Sequence, residues 1–258
     1  MNARVAIPFP KRRVSRTVAV RELELLEAAY PLAGTALEYT SPFTLLIAVI
    51  LSAQCTDARV NLTTPHLFAA YPTPQALGNA EQSDVETIVK SCGFFRTKAK
   101  NIIAAAHAIA TQYGGEVPRT REALEALPGV GRKTASVVLS VAFEEAALAV
   151  DTHVFRVAHR LGLTLGKTPR DVEVDVSKFV PREKLRHAHH WLILHGRAIC
   201  KAPVPLCERC PVNELCPTAP SVARARLQRT KQQATKAGSV PARRGATAAA
   251  TARPRRSS

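Results

Sequence analysis

Lys133 and Asp151 are the residues of this 258-residue chain whose types and placement could do covalent chemistry. Lys133 follows the run LEALPGVGR, Leu124 to Arg132, which reads as a helix, a hairpin and the first residue of a second helix. A lysine amine is a nucleophile only when neutral. Partial burial and the positive end of its own helix both lower its pKa, so the first turn of a helix is a place where an amine can be activated. A plain phosphate contact is the simpler use of such a lysine, and Arg132 beside it suits that use better. Asp151 lies in AVDTHVFR, Ala149 to Arg156. Its carboxylate could stabilise developing positive charge or help move a proton. It could equally cap the helix that begins near Val154.

The hairpin between the two helices is built to approach an anion. Pro128 fixes one φ angle, and Gly129 and Gly131 permit positive φ and leave the backbone bare. Val130 sits between them. The first N–H groups of the following helix have no intrahelical partner, and the macrodipole adds positive potential there. Pro128, Gly129, Val130, Gly131 and Arg132 therefore form a candidate site for a phosphate backbone that reads no base sequence. An ordinary tight turn between helices has the same composition.

Four cysteines form a second constellation. Cys200, Cys207, Cys210 and Cys216 are separated by six, two and five residues. Thiolates are soft ligands that suit zinc or iron–sulfur. Zinc usually takes two paired short-gap knuckles. One short gap between two longer ones wraps a single loop around something larger, which favours a [4Fe–4S] cluster. Pro203, Pro205, Pro211 and Pro217 stiffen this loop, and Arg197, Lys201 and Arg209 lie around it in sequence. Cys55 and Cys92 stand apart and read as small buried hydrophobes. His153, His189, His190 and His195 show no metal-like spacing and read as packing residues.

The elements that must position these groups are helical. Apolar spacing and caps predict helices over 18–29, 42–54, 57–70, 74–78, 82–91, 97–113, 121–127, 132–142, 154–161, 171–179 and 187–200. Ser41 is a candidate N-cap with Pro42 at the first helical position. The following stretch, FTLLIAVIL, is apolar on nearly every face and should lie at the centre of the fold. Almost no period-two alternation exists, so the predicted class is all-α. The formal net charge is +16. It is accounted for by six basic residues in 1–21 and ten in 221–258, neither segment holding an acid. Basic tails on a neutral body suggest loose, salt-sensitive attraction to a polyanion, or simply solubilising extensions. Disorder is expected for 1–17 and for the Ala-, Arg- and Pro-rich 221–258. No apolar run reaches membrane-spanning length and no signal core is evident, so a cytoplasmic, nucleoid-associated monomer with its cysteines reduced is expected.

LSAQCTD (Leu51 to Asp57), LPGVGRKTA, AVDTHVFRV, HHWLILHGR and C-x6-C-x2-C-x5-C occur in this order. Together they resemble the endonuclease III family, bifunctional DNA glycosylases of the helix–hairpin–helix superfamily, over about residues 18 to 220. The resemblance implies two helical domains with a DNA cleft between them. One spans about 36–145 and carries the hairpin. The other joins 18–35 to 146–220 and holds the iron–sulfur cluster. It also implies an enzyme of base-excision repair, acting on double-stranded DNA with damaged pyrimidines or abasic sites. Lys133 is then the nucleophile and Asp151 its electrostatic partner. Gln54 fills the gap left by a flipped base. Phe94 stands at a turn where relatives often present an aliphatic wedge, and Asp57 lines the pocket mouth or caps the next helix. Two alternatives remain. Adenine mismatch glycosylases lack a lysine at the position of Lys133 and carry a further C-terminal domain. A non-catalytic DNA-binding module would need neither Lys133 nor Asp151.

Overall fold

The structure is a computed structural model that describes residues 7–227. Residues 1–6 and 228–258 lie outside the described residues, so the expected disorder of 221–258 falls largely outside them and that of 1–17 only in its first six residues. Among the described residues the fold is all-helical. Helix α1 is Arg16–Ala29, capped by Ser15. Helix α2, Pro42–Leu51, begins with a capping box between Ser41 and Thr44, and nine of its ten residues are buried. That is the outcome its all-round apolarity demands. α3 (Asp57–Ala70), α4 (Pro74–Gly78) and α5 (Gln82–Val89) follow, and a 3-10 turn, Lys90–Cys92, leads through Gly93 and Phe94 into α6 (Phe95–Gln112). The hairpin joins α7 (Arg121–Glu125) to α8 (Arg132–Ala142). α9 (Thr152–Arg160), α10 (Pro169–Ser177) and α11 (Leu185–Ala198) complete the order, and residues 219–227 are helical again.

Two hydrophobic clusters organise these helices. The first surrounds α2 and takes Val60, Leu77, Val85, Ile102, Ile109, Leu124, Val130 and Val138 from α3 to α8 and the hairpin. The second takes Leu23 and Leu26 of α1, Val154 and Val157 of α9, Val172 and Val176 of α10, and Trp191 and Leu192 of α11. The chain passes from one to the other at Ala147 to Val150, where alternate residues join opposite clusters. Lys133 and Asp151 therefore belong to helices of different bodies.

Order begins before the expected boundary at residue 18. The Val14 N–H donates to the Gly162 carbonyl at 3.0 Å. Arg13 pairs with the buried Asp175 at 2.9 Å, and the Phe9 ring lies 4.9 Å from that of His159. Apolar residues interleaved with the basic ones give this segment something to bury, which a count of charge overlooked. The C-terminal boundary at 221 likewise falls inside a helix, with Val222 buried and Arg226 paired to Glu208 at 2.6 Å.

Candidate functional site

The hairpin adopts the geometry its residues prescribe. The Leu127 N–H bonds the Leu124 carbonyl and the Val130 N–H bonds the Leu127 carbonyl. Gly129 takes φ +77° and lies so close to Asn101 of α6 that a Cβ there would stand 2.8 Å from the asparagine Cβ. Gly131, the N-cap of α8, has no side-chain cap, and a Cβ there would meet nothing within 4 Å. Its bareness leaves room on the outside of the turn, before the unpartnered N–H groups of the first helical turn. Pro128 and Gly129 are exposed. Val130 is not: its side chain is buried in the first cluster and anchors the hairpin, so only its backbone can face a ligand. The Arg132 guanidinium turns to Glu173 of α10, donating from Nε at 3.0 Å and Nη2 at 2.8 Å to one carboxylate oxygen. Arg121 donates to the other at 3.0 Å. A residue predicted to meet phosphate is thus held in an ion-pair clamp joining α7 and α8 to α10.

Lys133 lies deeper. It walls a cleft of ≈ 90 Å³ shared with Asp57, His189, His190 and Arg197. On its other side it borders a hollow of ≈ 250 Å³ with Val150, Pro169 and Glu173. Burial pushes its ammonium below the ordinary lysine range, and Arg197 pushes the same way, while Asp151 and Asp57 oppose them. Lys133 makes no hydrogen bond or ion pair with any of the described residues. Asp151 caps α9, one carboxylate oxygen accepting from the His153 and Val154 N–H groups at 2.8 Å each. The cap fixes the carboxylate where its charge reaches Lys133. Thr56, not Asp57, caps α3. Asp57 is left to line the cleft, where Arg197 lies 3.6 Å from it. Arg197 therefore serves the cleft rather than the cysteine loop.

Behind the cleft stand two neutral histidines. His189 is buried, its Nδ1 2.6 Å from the Ala149 carbonyl, and burial lowers its pKa to about 3. Burial lowers His190 to about 4. Kept uncharged, they add no cation beside Lys133, and His189 supports the strand-like segment that delivers Asp151. Gln54 and Phe94 sit apart from this cleft on exposed loops, both with left-handed backbone at φ 53° and 46°. Phe94 is 69 % exposed, an unusual position for a large apolar side chain with no partner.

All four predicted cysteines line one cavity, with Arg160, His195 and Thr218 among its walls. Burial raises the thiol of Cys210 to about 11 and that of Cys216 to about 12. Arg160 is buried and fastens the loop from within. It donates to the carbonyls of Cys200, Lys201 and Pro203 at 3.2, 2.7 and 3.1 Å, while its own carbonyl accepts from Thr218 at 2.6 Å. His195 bridges Tyr30 at 3.3 Å and the Cys210 sulfur at 3.5 Å. Neither Arg160 nor Tyr30 carries a sequence signal, since an arginine ending a helix and a tyrosine before a proline are ordinary. Among the described residues no three His, Cys, Asp or Glu side chains converge closely enough to hold one metal ion. Four thiols lining one cavity are soft donors of the kind that hold a thiolate-bound metal centre.

A hairpin with a bare backbone turn, a half-buried lysine whose amine has no hydrogen bond and a helix-capping aspartate make up the arrangement of a helix–hairpin–helix protein. The family described as "HhH-GPD superfamily base excision DNA repair protein" matches residues 47–182. Endonuclease III of Rickettsia conorii is 50% identical over 193 residues, 75% of this chain and 92% of the relative. That of Escherichia coli K12 is 49% identical over 182 residues, 70% of this chain and 86% of the relative. The structure is similar to that of a trapped endonuclease III–DNA covalent intermediate, an estranged-adenine complex. The TM-score is 0.76 and the identity 43%, covering 80% of this chain and 97% of the other. The chain belongs to the endonuclease III family within that superfamily. It is a DNA glycosylase of base-excision repair with abasic-site lyase activity. Among the described residues no helix is long and apolar enough to cross a membrane.

Proposed function

We propose that the chain removes oxidised pyrimidines from double-stranded DNA through covalent attack by Lys133, and then nicks the strand. The observation that carries this is the Lys133 amine, half-buried, lowered in pKa and without a hydrogen-bond partner, within the fields of Asp151 and Asp57. The damaged nucleotide leaves the stack at a cost of a few kcal/mol, least for damaged bases. The neutral amine attacks C1′, and the N-glycosidic bond breaks with its electron pair leaving on the base, which takes up a proton. Asp151 stabilises the positive charge that grows at C1′. The nitrogen loses its proton as the ring opens to a Schiff base. Loss of a C2′ proton then expels the 3′ phosphate by β-elimination, and water hydrolyses the adduct to free Lys133.

Gln54 enters the gap left by the flipped base, its amide able to donate and accept toward the orphaned partner, and Phe94 wedges the stack beside it. The backbone from Pro128 to Arg132 holds a phosphate. Cys200, Cys207, Cys210 and Cys216 hold a [4Fe–4S] cluster, which orders the loop between α11 and the helical residues 219–227. The two bodies, 18–35 with 146–220 and 36–145, act as domains closing on DNA as a monomer. Borohydride trapping tests the reading. Duplex DNA bearing thymine glycol, and separately an abasic site, is expected to yield a covalent complex that Lys133→Gln abolishes. Absence of a trapped complex from the parent protein on both substrates rejects it.

A further inference from the structure

Gln54 and Phe94 hold left-handed backbone that non-glycine residues adopt only when surrounding structure imposes it. One side chain is bonded to the segments that precede both. Lys98, in the first turns of α6, is only 5 % exposed. Its ammonium donates at 2.9 Å to the carbonyl of Leu51, the last residue of α2. It also donates at 2.5 Å to the carbonyl of Cys92, the last residue of the Lys90–Cys92 turn. The usual helical donor is missing at Leu51, because the Cys55 N–H bonds the Ser52 carbonyl instead. Both acceptors are thus orphaned ends of helical segments, where the dipole is negative and a cation is favoured. Gln54 follows the first of them by three residues and Phe94 the second by two.

An apolar side chain would fill this site without the desolvation penalty of a buried ammonium. A neutral donor would serve one carbonyl. Bridging two helix ends takes a group with several donors on a compact centre, which is what lysine supplies. The bridge also lies on the helix that supports the hairpin, since Asn101 under Gly129 is one turn further along α6. Lys98 touches neither cleft nor phosphate loop, so its role is indirect.

We propose that Lys98 is a positioning residue for base extrusion. It ties the end of α2 to the turn before α6, so that Gln54 and Phe94 enter the duplex as one rigid pair. The proposal rests on the reading of those two residues as the ones that enter DNA. The test uses the full chain with its cysteine site loaded, and two substrates. One is a duplex with paired thymine glycol, which must be extruded. The other is an abasic site in an unpaired bubble, which needs no extrusion. Lys98→Met is expected to lower turnover on the duplex ~10–100-fold, the scale of a misplaced catalytic geometry, while borohydride trapping on the bubble stays near the parent level. The fluorescence change of 2-aminopurine placed opposite the lesion is lost with it. Adding Gln54→Ala to Lys98→Met should cost less than Gln54→Ala alone, as for two residues acting in one unit. Equal losses on both substrates, an undiminished duplex rate, or additive losses in the double variant overturn the proposal. Lys98→Gln keeps one donor and repeats the comparison should the methionine variant not fold. Failure of the Lys133 reading is distinguishable, because the parent protein itself then gives no trapped complex.

Discussion

The lysine cleft and the cysteine cavity are both walled by titratable groups, and α11 serves both, with His190 and Arg197 facing one and His195 the other. In the cleft the Lys133 amine is left without a hydrogen bond, and burial and neighbouring charges act on it. In the cavity almost every polar group is fastened: Arg160 to three carbonyls, Thr218 to Arg160, His195 to Tyr30 and Cys210. The difference matches the roles proposed for the two regions. A nucleophile has to move a proton and change partners, so saturating it with hydrogen bonds would lock it. Proposed ligands must be held still, and the bonds of Arg160, Thr218 and His195 hold their loop. Burial acts on both in the same sense, disfavouring charge on Lys133 and on the Cys210 and Cys216 thiols. In the first it prepares a nucleophile. In the second it keeps thiolates from forming except on a metal, whose charge reverses the preference.

The largest expected effect separates the two uses of Asp151. Asp151→Asn keeps an oxygen for the His153 and Val154 N–H groups and removes the charge. It is expected to fold with nearly unchanged Tm and to lose about 10²–10³-fold in kcat, the scale of an electrostatic stabiliser. Near-normal turnover would reduce Asp151 to a helix cap. Next comes the cavity: Arg160→Met leaves the carbonyls of Lys201 and Pro203 without their donor, and each buried orphan costs about 1–3 kcal/mol. A fall in Tm and in iron bound per chain should result. Unaltered iron content and Tm would show that the loop holds itself. The smallest effect concerns Glu22 of α1, fully buried with neither carboxylate oxygen hydrogen-bonded. Burial raises its pKa from 4.5 to about 8. The folded chain therefore keeps a proton that the unfolded chain releases, and stability falls as pH rises from 4.5 toward 8. Glu22→Leu should raise Tm more at pH 8 than at pH 5. The histidines lowered by burial lose stability in the opposite direction, as pH falls below 6.5, but they are common to both proteins and cancel in the difference. An equal gain at the two pH values contradicts the buried, protonated state of Glu22.

Much of this molecule is written in short-range pattern. Helix boundaries came within a few residues wherever a cap or a Pro marked them, as at Ser41-Pro42 and at Gly131. Other ends moved by about two residues, capped or not: α6 starts at Phe95 rather than Thr97, α10 at Pro169 rather than Asp171 despite its Thr168 cap, and α11 stops at Ala198 rather than Cys200. The hairpin, the lysine in the first turn behind it, the capping aspartate and the cysteine spacing are all local, and one stretch of chain suffices to recognise each. Partnerships between distant stretches were illegible. Arg132 follows the hairpin in sequence, and its partner in the fold is Glu173, forty-one residues away. Arg197 lies beside the cysteines in sequence and beside Asp57 in space. Lys98 looks like any solvated lysine of a helix until α2 and the Lys90–Cys92 turn close over it. Hydrogen-bond periodicity and backbone sterics act over a few residues and leave their mark in order and composition. An ion pair or a buried cation is chosen by whichever chain segments packing brings within about 4 Å, where charges interact strongly, and no single segment encodes that neighbour.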